Sequence, residues 1–305
     1  MSTNESSPCH DEMPTDCPVI AHIINGESKD IGGFSVKRSL PFAKQRMVGP
    51  WIFFDHMGPA SFPVGQGLDV RPHPHIGLAT VTYLFHGEII HRDSLGSHQA
   101  IRPGDVNLMI AGRGITHSER SPQNHRENGH VIEGLQLWMA LPQSHQEMAP
   151  QFHHYNKNDL PYVELDGCSI QVMLGAAFGV ISPIVTHSPC FFAQAECSQG
   201  ADLQVPMLSE QAIYVVEGNV AINSTTVPNQ HLIILTSNST PILHMLEDSK
   251  IILLGGSPLG KRHIWWNFVS TDKARIDAAK QQWKNGQFPA IAEDGDEFIP
   301  LPNTK

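Results

Sequence analysis

The chain has 305 residues, 40% apolar and 16% charged, and its 30 acidic residues against 20 basic ones give a net charge of −10. That length admits two ordinary domains, each with its own core, and the composition is globular rather than disordered. The acidic balance argues against direct nucleic-acid binding and against adsorption to an anionic membrane, since both need a basic face. No apolar run reaches the roughly 18 residues of a spanning helix.

In chain order, residues 1–19 are polar and acidic, with neither a basic nor an apolar signal region. They read as a disordered lead-in to a protein expected in the cytoplasm. Short β-branched and aromatic runs follow, separated by glycine and proline: ATVTYLF, VNLMIAG, GLQLWMAL, CSIQVMLG, AIYVVEG, HLIILT and KIILLGG. Runs of this length at turn-separated intervals predict an all-β sandwich or barrel. Two of them repeat. VTYLFHGEII and AIYVVEGNVA superpose without gaps at an offset of 131, matching Tyr83 to Tyr214 and Gly87 to Gly218. One β-unit written twice predicts two similar barrels in tandem, at residues 20–145 and 146–268, joined through the polar segment around Pro142 to Pro161. Residues 269–305 complete the chain with a helix over STDKARIDAAKQQWKNGQF, capped by Ser270 or Thr271 and ended by Gly286, with Ile276, Ala279 and Trp283 on one face.

The five cysteines, Cys9, Cys17, Cys168, Cys190 and Cys197, form an odd and scattered set with no CxxC pair. No zinc ribbon or disulfide framework follows; a Cys190–Cys197 bridge is sterically conceivable, but a reducing compartment argues against it.

The 18 histidines carry more chemistry. A strand presents side chains on one face at i and i+2, so His73 and His75 in RPHPHIG can offer convergent lone pairs. His117 and Glu119 in AGRGITHSER have the same spacing, after a turn that Gly112 and Gly114 permit. Three imidazoles and one carboxylate suit a divalent transition metal and leave positions open for redox or Lewis-acid chemistry. A histidine-rich chain also yields HxH pairs by chance, so spacing alone leaves the site ambiguous. His56, His91 and His98 lie near the motif as candidates to support the ligands, though core or surface roles are the commoner fate of such residues. His125, His153 and His154 read as solvated loop residues. Arg113 is placed either to reach the site or to stabilise its loop.

The block from Arg71 to Glu119, together with GLQLWMALP, GGSPLG and WNFVSTDKARIDAAKQQWKNGQF, closely resembles the pirin family, from about residue 20 to 290. That resemblance implies an all-β fold of two tandem cupin-type barrels (a bicupin) with a C-terminal helix, and a metal in the N-terminal barrel. Carried over residue by residue, the implied ligands are His73, His75, His117 and Glu119. The implied ion is Fe(2+), with zinc, manganese, copper, nickel or cobalt as other ions the donors admit. Two departures bear on the substrate: Ala79 and Thr80 stand where cupins often carry a glutamate, and Ile76 replaces an arginine of many relatives, which suggests a changed charge at the pocket mouth. In the second repeat the HxH positions fall on Gln204 and Pro206, and only His244 stands out later, so no metal is expected there.

Some pirin-like proteins act as quercetin 2,3-dioxygenases. The resemblance therefore implies an enzyme taking a flavonol or similar enolic aromatic and O2, with Glu119 as catalytic base. The alternative is a non-enzymatic, redox-sensing metal protein that regulates a protein partner such as a transcription factor. A closed structural zinc is the third reading.

Overall fold

The apolar runs form strands because β-branched and aromatic side chains fit a pleated surface buried on one or both faces. The computed structural model describes residues 11–302 apart from Gly32. Each of the runs named above is a strand: Leu78–His86, Val106–Ile110, His130–Ala140, Cys168–Leu174, Glu210–Glu217, His231–Leu235 and Ser249–Gly256. They build two cupin barrels, each a large sheet closed by a smaller one.

In the first barrel a seven-stranded sheet is ordered Gln151–Tyr155, Val106–Ile110, Leu78–His86, His130–Ala140, Trp51–Phe62, Ser35–Leu40, Glu27–Asp30. Facing it is a four-stranded sheet ordered Asp69–His75, Ile115–Arg120, Ile89–Asp93, His98–Ile101. The second barrel closes an eight-stranded sheet with a four-stranded one, and aliphatic side chains such as Ile213, Val215, Leu243 and Ile251 fill it. His244, the histidine that stands out in this half, is exposed and pairs with Asp202.

The two large sheets pack back to back. Along Leu78–His86, Ala79, Val81, Tyr83 and Phe85 point toward the other barrel and join a core with Phe192, Tyr214, Leu232 and Ile252. The alternate residues, Thr80 and Thr82 among them, point into their own barrel. This arrangement explains the repeated tyrosine. The Tyr83 hydroxyl crosses to the second barrel, 3.2 Å from Gln171 Oε1 and 3.0 Å from Gln194 Oε1. The Tyr214 hydroxyl crosses the other way, 3.0 Å from His56 Nδ1. The matched Gly87 and Gly218 both turn the chain at φ of +87° and +81°, where a Cβ would strike a backbone carbonyl.

Four sequence expectations are corrected by strand pairing. Ile20–Asn25, assigned to the first barrel, pairs with His231–Leu235 in the second, because Ile23 and Ile24 bury fully there. Asp11–Met13, inside the expected lead-in, pairs with that same strand; residues 1–10 lie outside the described residues. Conversely, Gln151–Tyr155, placed in the connection, pairs with Val106–Ile110 of the first barrel. The barrels thus exchange strands across the boundaries drawn at 20 and 145. Fourth, Cys168 faces Cys197 in the antiparallel pair and forms a disulfide with it, whereas Cys190 remains a buried thiol beside Met139.

The helix Lys273–Lys284 is capped by Asp272, whose carboxylate accepts from the Ala274 N–H at 2.9 Å, rather than by Ser270 or Thr271. Ser270 instead accepts from the Asp272 N–H. Ile276 and Ala279 are buried, and Gly286 ends the helix at φ +65°. No helix among the described residues is long and apolar enough to cross a membrane.

At the inter-barrel seam, Glu133 lies 3.4 Å from the other ring nitrogen of His56. Hydrogen bonding to His56 holds the Glu133 carboxyl below its ordinary range, against the cost of burial. A depressed native pKa stabilises the fold above the unfolded glutamate range, and that stabilisation fades as pH falls through the native value. We predict that Glu133→Gln lowers stability by about 1–2 kcal/mol at neutral pH, and that the gap from wild type closes on acidification, as measured by urea unfolding at a series of pH values.

Candidate metal centre

The candidate site grows out of one strand pair. In the antiparallel register of Asp69–His75 with Ile115–Arg120, His117 lies opposite His73 and Ile115 opposite His75. Alternation then puts all three imidazoles on the inner face. Their ring centroids are 4.3 to 5.0 Å apart, and they offer ligand nitrogens all within 4.8 Å of one another. Both ring nitrogens of His75 and Nε2 of His117 are buried without a hydrogen-bond partner. Orphaned lone pairs of this kind are costly unless something satisfies them, and an ion seated among them would do so.

The site's electrostatics point the same way. Burial pushes His73 down to about 4, its hydrogen bond to the Arg71 carbonyl opposing only in part. Burial, and then the neighbouring imidazoles, hold His75 and His117 well below the ordinary range. At neutral pH the triad is uncharged, which is the ligating form. His73 Nδ1 donates to the Arg71 carbonyl at 2.9 Å, so Nε2 carries its lone pair.

Glu119 stands outside this group. The register shifts between His117 and Glu119, which pairs with Val70 instead of Arg71. Pro72 has no N–H to give the ladder, so the extra residue is accommodated there as a bulge. The strand on the other side stays in register and sets Glu119 beside His91. Glu119 is 8% exposed and its Oε1 lies 3.3 Å from the Thr82 hydroxyl. Burial raises its carboxyl above the ordinary range, while His91 and Thr82 pull the other way.

His91 sits behind the triad. Its Nε2–H donates to Asp93 Oδ2 at 3.0 Å, and its Nδ1 faces His117 Nδ1 at 3.4 Å. The other Asp93 oxygen accepts from the Leu95 and Ser97 N–H groups at 2.9 and 3.1 Å. This chain joins Asp93, through His91, to Nδ1 of His117, whose Nε2 is buried without a hydrogen-bond partner. Phe152 stacks on His91 at 4.2 Å, and Trp138 meets His75 edge-on at 5.2 Å.

The facing wall is a feature that motif reading missed. Cross-strand register aligns His154, Asn107, Thr82, Gln136, Asp55 and Arg38 in one row over the large sheet. Thr82, Asn107 and Asp55 are buried. His154 Nδ1 meets Asn107 Oδ1 at 2.7 Å, so His154 is no solvated loop residue, and Arg38 makes a double hydrogen bond to Asp55 at 2.8 Å. The available signal was a polar residue at an inward position of an otherwise apolar strand: Thr82 in VTYLF, Asn107 in VNLMI, Gln136 in GLQLWMAL.

Other expectations are redirected. Ile76 is fully buried against Phe268, Ile276 and Ala279, outside the barrel, so it sets no charge at the mouth. Ala79 faces the second barrel, where a glutamate could not reach the triad; Thr80 faces inward. His56 belongs to the inter-barrel seam, while His98 and Arg113 are exposed. The Arg113 carbonyl accepts from Arg275, which is the loop-stabilising option.

Two cupin barrels in tandem, with a three-histidine cluster buried in the first, define a bicupin whose donors fit a cupin metal site. The chain belongs to the pirin family: residues 33–139 match the Pirin model and residues 192–289 the Pirin C-terminal cupin domain. It is 45% identical over 284 residues to a pirin-like protein of Caulobacter vibrioides, covering 92% of this chain and 98% of that one. The crystal structure of a quercetin 2,3-dioxygenase from Acinetobacter baumannii is 36% identical and superposes with a TM-score of 0.86, covering 93% and 95% of the two chains. A bacterial pirin from Escherichia coli, solved in complex with nickel(II), shares the fold at 18% identity and a TM-score of 0.59, covering 76% and 96%.

We predict that His73→Ala and His117→Ala each abolish tight binding of a divalent transition metal. His91→Ala and Asp93→Asn, which leave the triad intact, should weaken it by about 10- to 100-fold. Competition with a chromophoric chelator measures both.

Proposed function

We propose that this protein is a cytoplasmic metal-dependent dioxygenase that cleaves a quercetin-type flavonol, or a similar enolic aromatic, with O2. The observation that carries this reading is the buried triad, with its unpartnered nitrogens, set against a row of buried polar side chains. The extent of similarity to the Acinetobacter baumannii enzyme supports it. His73, His75 and His117 would hold the ion, and Glu119 supplies the carboxylate of the site. Fe(2+) is the ion we propose, on the family resemblance. When bound, the ion supplies Lewis acidity toward the substrate's hydroxyl and carbonyl oxygens and a redox partner for O2.

The chain's own residues do the remaining work. Glu119, buried beside His91, takes the substrate's hydroxyl proton. Thr82 orients that carboxylate, and burial favours the protonated state that results. Trp138, edge-on to His75, and Phe152, stacked on His91, guide a flat aromatic substrate and keep water out. Asn107 and Gln136 present amide groups toward the substrate's oxygens.

Titration of iron-loaded protein with quercetin in air tests this reading: flavonol absorbance should decay with turnover at catalytic protein concentrations. Glu119→Gln should retain metal and lower kcat by about 10²- to 10⁴-fold. Constant absorbance with metal confirmed in place would sink the dioxygenase and favour a redox-sensing regulator, whose partner binding would differ between ferrous and ferric protein.

A further inference from the structure

Residues 290–302 lie beyond the stretch matched by the C-terminal family model, yet they run along the outside of the strands that carry the triad. Ser118 and Arg120 alternate with His117 and Glu119, so their side chains leave the opposite face of the same strand. Both are held by Asp294. The Ser118 hydroxyl donates to Asp294 Oδ2 at 2.7 Å. Arg120 donates through Nε to Oδ2 and through Nη2 to Oδ1, each at 2.7 Å, and reaches Glu297 at 2.8 Å.

The same segment grips the neighbouring ligand strand. The Ile299 N–H donates to the Pro72 carbonyl at 2.8 Å, at the bulge and next to His73. Ile299 is anchored in turn, its carbonyl accepting from Trp283 Nε1 at 3.0 Å while Phe298 packs edge-on against the Trp283 ring. Asp69–His75 lies at the edge of its sheet, and the tail supplies an N–H, that of Ile299, to a carbonyl on its outer side.

We propose that residues 290–302 form a strap that fixes the geometry of the triad from outside the barrel, with Asp294 as its positioning residue. The inference rests on the metal reading of the triad. A bidentate Arg120–Asp294 pair joined by Ser118 sets the pitch of the strand bearing His117. The Ile299–Pro72 bond sets the bulge that aims His73. The strap touches no ligand, so its effect is on how well a preformed site fits its ion.

Cobalt(II) is a suitable probe, because affinity follows from chelator competition and its d–d bands report ligand geometry. Asp294→Asn and a chain ending at Pro289 should each bind cobalt(II) about tenfold more weakly or worse, with shifted bands; Asp294→Glu should recover part of the loss. Tyr214→Phe, which loosens the distant barrel seam, should keep wild-type affinity and bands, separating positioning from general loss of stability. Asp294→Asn within twofold of wild type with superimposable bands would overturn the strap, and this point variant decides the matter if the shortened chain does not fold. Wild-type protein that takes up no cobalt(II) overturns the metal reading and the strap together, whereas strap failure alone leaves wild-type binding intact.

Discussion

The structure depends on one strand pair: Asp69–His75 against Ile115–Arg120, in register at His73 and His117 and out of register beyond Pro72. In-register pairing brings imidazoles from two segments about forty residues apart in the chain onto one inward face. The break in register then sets Glu119 opposite Val70, beside His91 on the other neighbouring strand. A proline that cannot complete the ladder is what allows both arrangements in seven residues. Asp93 and His91 hold the pair on one side, and the C-terminal segment crosses it on the outside.

Burying three uncharged imidazoles with orphaned nitrogens is expensive, and the surrounding architecture provides the offsetting burial. The large sheets bury aromatic and aliphatic side chains between the barrels, with Tyr83 and Tyr214 each sending a hydroxyl across the seam. The second barrel is filled by aliphatic side chains and contributes a rigid platform. The exchanged strands Ile20–Asn25 and Gln151–Tyr155 tie the halves further, so the barrel that carries the triad is not an independent unit. Its wall includes Phe152, which comes from the strand Gln151–Tyr155 within the expected connection.

Much of this was legible in the residues. The i, i+2 spacing of His73 with His75 marked an inward-facing pair, and the repeated tyrosine and glycine marked two copies of one unit. His91 was visible only as a nearby histidine, because its role depends on the pairing of its strand with Ile115–Arg120, which lies three strands further along the chain. The polar row was written as single polar letters inside apolar strands, a pattern that local reading treats as noise. Ile76 and Ala79 misled for the opposite reason: both sit inside the motif, but one faces the C-terminal helix and the other faces the second barrel.

The sequence by itself determined the strands, the doubled barrel, the three imidazoles and the family, because these follow from side-chain alternation, turn chemistry and the spacing of ligand types along single strands. Tertiary structure alone decided where Glu119 stands, which cysteines pair, which strands cross between barrels and what braces the triad. Those outcomes depend on register and on contacts between segments far apart in the chain. No local pattern encodes such register or such long-range contacts.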